Sequence, residues 1–126
     1  MSAVAIDTSA LLGYLTGRGG GEVSAVGAVL RGGTAVLPPA VVVEALSIPG
    51  LPPEVADLIT TLDRLEPTPG YWERAGALRG HVTARGRRAR LAVTLIAQSC
   101  IDHDVPLVAA DPDFAEFAIY GLRLHA

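Results

Sequence analysis

Three apolar runs in this chain are too short for anything but strands, and each is stopped at once by an acid or a proline. They are Val4 to Ile6 before Asp7, "TAVLPP", and "VPLVAAD" ending in Asp111. The two prolines must close the second run, because Pro39 restricts its predecessor and neither proline can donate to a ladder. Between these runs the apolar residues recur at helical spacing. "TSALLGYLTG" sets Leu11, Leu12 and Leu15 on one side, and "EVSAVGAVLRGG" does the same with Val23, Val26 and Leu30 before its glycine stop. Short buried strands alternating with helices predict an α/β fold: a parallel sheet with helices on both faces and ligands outside the strands' carboxyl ends.

The remaining elements follow the same reading. "AVVVEALS" predicts a helix held by packing, since its β-branched residues are indifferent helix formers. "PGLPPEVADLITTLDRL" carries a stripe of Val55, Leu58, Ile59 and Leu62, and "TPGYWERAGALRGHVTARG" one of Tyr71, Ala75, Leu78 and Val82, with "LEP" between them as a connection or a strand. "RRARLAVTLIAQSCIDHD" is the most apolar helix, and the tail predicts a helical turn and an edge strand at Leu122 to Leu124. At 126 residues, with half of them apolar and few aromatic, residues 1–126 are expected to form one domain around an aliphatic core.

Charge and cysteine content exclude some classes. A net charge of -3 argues against holding nucleic acid by overall attraction, while leaving room for a local basic patch or metal ions. Cys100 is the only cysteine, so no intrachain disulfide forms and the residue reads as a small buried hydrophobe. No basic region precedes the first apolar stretch and no run reaches the roughly 18 apolar residues of a membrane span, so a cytoplasmic location and no membrane partner are expected. His81, His103 and His125 lack zinc-site spacing, and Gly19 to Gly21 lack the Lys and Ser or Thr of a nucleotide-binding loop. The aromatic residues, Tyr71 and Trp72 among them, are expected mainly in the core and at helix contacts.

The chemistry lies with the acids. If the first and last strands are parallel neighbours, Asp7 and Asp111 meet at one edge of the sheet, within reach of one hard cation. Glu44 in "AVVVEAL" sits amid apolar residues, where an unpaired buried carboxylate would cost several kcal/mol; a metal ion shared with Asp7 would offset that. Simpler roles compete: Asp7 as a helix cap, Asp111 before Pro112 as a turn residue, Glu44 as a solvated side chain. Arg85, Arg87, Arg88 and Arg90 form the one dense basic run, suited to an RNA backbone or to an acidic partner segment.

These segments, "AIDTSALLGYL", "PPAVVVEAL", "RARLAVTLIAQSC" and "VPLVAADPDF", resemble in order and spacing the PIN-domain ribonucleases of the VapC toxin type, across essentially the whole chain. The resemblance implies a PIN-like fold and a metal-dependent endoribonuclease, an acid cluster binding Mg2+ or Mn2+, a homodimer, and neutralisation by a cognate VapB-like antitoxin. It assigns Asp7, Glu44 and Asp111 as catalytic and metal-binding acids, Asp113 as a further metal-binding position and Ser9 as a supporting hydroxyl. The family's Asp in the late helix is replaced here by Val93, which cannot coordinate a metal. An inactive PIN-fold module that binds antitoxin or RNA is the competing expectation, and a phosphoaspartate receiver is disfavoured for want of early paired acids and a placed late lysine.

Overall fold

The computed structural model describes residues 2–125. Strand β1 (Val4–Ile6) leads into helices α1 (Thr8–Leu15) and α2 (Gly21–Arg31), then β2 (Ala35–Leu37), α3 (Pro39–Leu46) and α4 (Pro53–Thr61). Strand β3 (Asp63–Arg64), α5 (Tyr71–Ala84), α6 (Leu91–His103), β4 (Leu107–Val108) and a 3-10 helix (Pro112–Tyr120) complete the chain. The fold is α/β, as the alternation of elements predicts.

The four strands form one parallel sheet in the order β3-β2-β1-β4. Register pairs Ala5 with Val36 on one side and with Leu107 on the other. Parallel crossovers are almost always right-handed, so the β1→β2→β3 connections lie on one face and the return through α5 and α6 on the other. The direction of winding reverses between β1 and β4. A crevice opens at such a reversal, outside the carboxyl ends of the strands.

Burial follows the predicted stripes. Tyr71, Ala75, Leu78 and Val82 of α5 are all buried, and Phe114, Phe117, Ile6, Leu11, Leu37 and Leu107 are among the largest fully buried side chains. Helix α6 is buried over most of its circumference, as its composition demands. Its polar residues are satisfied internally: Ser99 donates to the Leu95 carbonyl, which also accepts from the Tyr71 hydroxyl. Cys100 is a buried aliphatic substitute, its thiol pushed up to about 12 by burial. No described helix is long and apolar enough to cross a membrane.

Three expectations change in detail. Helix α6 begins at Leu91, not in the arginine run, because Arg90 is extended (ψ 146°) and carries no side-chain cap. The edge strand expected at Leu122 to Leu124 is reduced to a single parallel bridge of Leu124 on Leu107 of β4, made by the Leu107 N–H to the Arg123 carbonyl and the His125 N–H to the Leu107 carbonyl. Trp72 is not core: it is 65% exposed, while its neighbour Tyr71 takes the buried place.

Arg74 on α5 and Asp102 on α6 clasp the return face through a 2.7 Å ion pair, with Gln98 also donating to Asp102 at 2.8 Å. Burial opposes ionisation of Asp102, but these donors outweigh it and hold its carboxyl below the usual range. A depressed folded-state pKa stabilises above the unfolded value, and that stability is lost as pH falls through the folded one. Asp102→Asn is therefore expected to melt a few degrees below the parent at pH 7, with the gap closing below about pH 4. Thermal melts across that range check it; a gap constant with pH would assign the loss to packing.

Candidate active site at the carboxyl edge of the sheet

Asp7 follows the last residue of β1 directly, and its extended backbone (φ -78°, ψ 168°) turns its side chain back over the start of α1. Oδ1 accepts from the Ala10 N–H at 2.7 Å, the geometry of an N-cap. Oδ2 accepts from the N–H of Ala110 at 3.1 Å and, at 3.5 Å, from that of Asp111. Asp7 thus ties β1 to the chain leaving β4. It is 1% exposed, and burial raises its pKa despite the N–H groups that favour the charged form.

Asp111 caps the 3-10 helix, Oδ1 accepting from the Asp113 N–H at 2.9 Å. Its other oxygen accepts from Arg90 Nη2, and Asp113 lies 3.2 Å from the same nitrogen. Burial opposes ionisation of Asp111, yet the Asp113 N–H and the guanidinium bring its pKa below the usual carboxylate value. Both strand-end acids are therefore caps as well as members of a site.

Glu44 departs from expectation. It is exposed, not buried among the valines, because α3 turns Val41, Val42 and Ala45 inward and leaves Val43 and Glu44 outside. Its Oε1 accepts from the Thr8 hydroxyl at 2.5 Å, which aims the carboxylate toward α1. The burial cost that called for a metal partner is absent.

One cavity of about 300 Å³ gathers these residues: Asp7, Ser9, Glu44 and Asp111 line it, with Val93 and Arg90. Asp113 is held at its margin by Arg90 and, at 3.8 Å, by Arg88. Arg87 turns to Glu116 at 3.7 Å and Arg85 lies over the Tyr120 ring, so only the later half of the arginine run meets the acids. Thr8 and the wall residue Ile96 were given no site role by sequence reasoning, and Phe114 was expected only in the core, where it also lies; the hydroxyl of Thr8 beside Asp7 in "DTS" was the one signal for Thr8.

Hard oxygen donors suit magnesium or manganese. In this arrangement both carboxylate oxygens of Asp7 and of Asp111 already accept from backbone N–H groups or Arg90, Oε1 of Glu44 accepts from the Thr8 hydroxyl, and position 93 offers no oxygen. Among the described residues, no group of three or more His, Cys, Asp or Glu side chains is gathered to hold a metal ion. The donor chemistry fits a divalent cation; at Asp111 and Asp113 a guanidinium stands where that cation would bind. Beside the cavity, Val43, Trp72 and Leu91 leave large apolar surfaces exposed on α3, α5 and α6. Neither a scan against protein-family models nor a search of the curated proteins finds a match to this chain.

Proposed function

We propose that this chain is a Mg2+- or Mn2+-dependent endoribonuclease of the PIN-domain, VapC toxin type, acting in the cytoplasm and neutralised by a cognate VapB-like antitoxin. The observation that carries the reading is convergence. Asp7, Glu44 and Asp111, from three distant segments, line one cavity at the winding reversal, and position 93 faces that same space. The sequence resemblance expects an acid at 93, so its presence in the wall supports the correspondence.

The chain's own groups divide the work by type. Asp7 and Asp111 hold the edge of the sheet in register, Glu44 extends from the solvent side, and Arg88 and Arg90 offer guanidinium groups to an RNA phosphate at the rim. A divalent ion, when bound, would supply an activated water and offset charge on the phosphate. Exposed Val43, Trp72 and Leu91 support a homodimer across the adjoining face.

The second reading, a PIN-fold module that binds RNA or antitoxin without cutting, is favoured by Val93 and by the guanidinium on Asp111. Cleavage of total RNA with Mn2+ separates the two. The enzyme reading expects cleavage that chelation abolishes and that Glu44→Gln reduces on the order of a hundredfold. Glu44 is exposed, so that variant retains the fold. RNA retained in a gel-shift assay but never cut would sink the enzyme and leave the module.

A further inference from the structure

We infer that Arg90 is the resident cation of the acidic cavity and competes directly with a divalent ion for Asp111 and Asp113. The inference rests on the reading of this cavity as a metal centre and names what regulates its occupancy. Arg90 Nη2 binds Asp111 Oδ2 and lies 3.2 Å from Asp113 Oδ2, so one guanidinium draws together two carboxylates that the metal would need. It also lines the cavity itself, with Asp7 and Glu44 on the opposite elements.

The root of the side chain is fixed and its end is free to leave. The Arg90 carbonyl accepts from the Thr94 N–H at 3.0 Å and the Thr94 hydroxyl at 2.9 Å, and the preceding Ala89 carbonyl accepts from Arg79 Nε at 2.8 Å. The side chain beyond is 44% exposed, so it can swing into water without opening the core. Val93, one turn further along α6, lines the same cavity and offers a metal no oxygen to set against the arginine. An apolar side chain and a positive charge thus meet the cavity from the same helix end, and both act against the divalent ion.

Like charges cannot share these oxygens at contact distance, so entry of the ion requires Arg90 to move off Asp111. The displaced guanidinium then stands at the rim, free to take a phosphate oxygen.

The test is Mn2+ titration by calorimetry on the intact chain, Arg90→Ala, Arg90→Lys and Val93→Asp, with melting curves to confirm each fold. Arg90→Ala is expected to bind Mn2+ about tenfold or more tighter than the parent, the scale of one charge-assisted hydrogen bond. Arg90→Lys, which keeps the charge and loses the fork, is expected between them. Arg90→Ala binding no tighter than the parent overturns the inference. If Val93→Asp then binds Mn2+ the cavity is a metal centre without an arginine competitor; if neither variant binds, the metal-centre reading falls as well.

Discussion

Asp7→Ala is expected to lower the melting temperature on the order of 10 °C, before any question of catalysis arises. The carboxylate is 1% exposed and accepts the Ala10 N–H in a buried bond and the N–H of exposed Ala110 in a partly buried one, so alanine would leave the Ala10 donor buried without a partner and cut the tie to Ala110. The orphaned Ala10 donor, which is also the lost cap, costs about 1–3 kcal/mol, and the loosened link from β1 to the chain after β4 adds to it. Working the other way, the raised pKa of Asp7 means that burial of its charge is only partly offset by those donors. Asparagine drops the charge and keeps one acceptor, and is therefore expected to melt between alanine and the parent. Thermal and urea melts of the two variants decide this. An alanine variant as stable as the parent would show that Asp7 contributes nothing net to the fold and is retained for the cavity alone.

A loss of metal binding or cleavage in Asp7→Ala therefore carries no message about catalysis until the variant is shown to be folded. Glu44→Gln is the cleaner probe. Its side chain is exposed and its one recorded partner is the Thr8 hydroxyl, which an amide oxygen also satisfies.

The difference between these two acids also marks where the sequence was legible. Asp7 and Asp111 stand at the ends of apolar runs, and strand ends in a parallel sheet share an edge, so their meeting needed only that β1 and β4 be parallel neighbours, as they are. Glu44 was misjudged because residue type does not say which side of an eight-residue helix is covered. Val43 beside it is apolar and yet 69% exposed, so the run of valines imitated a buried segment. Arg90 was one of four arginines with nothing local to separate them. What singles it out is the turn of the chain at the head of α6, which points it toward a partner 21 residues away while Arg87 meets Glu116. Such pairings depend on tertiary approach, and no local spacing encodes them.

Val93→Asp is expected to give the largest change of all, a loss of stability that metal in large part restores. Val93 is 5% exposed in the wall of the cavity, close to a carboxylate whose pKa burial has already raised. A second acid there loses hydration and meets like charge, so the metal-free variant is expected to be destabilised by several kcal/mol at neutral pH. A cation that binds only the folded chain offsets much of this through mass action, returning about 2.7 kcal/mol at a hundred times its Kd. Val93→Asn is the control, close in size to aspartate and without its charge, and is expected to show little recovery with Mn2+. Combining Val93→Asp with Arg90→Ala should be non-additive, since both alter the field at Asp111. If Val93→Asp melts identically with and without Mn2+, the acids at this edge are caps that hold β1, β4 and the 3-10 helix in register. The chain would then be read as a binding module built on those same residues.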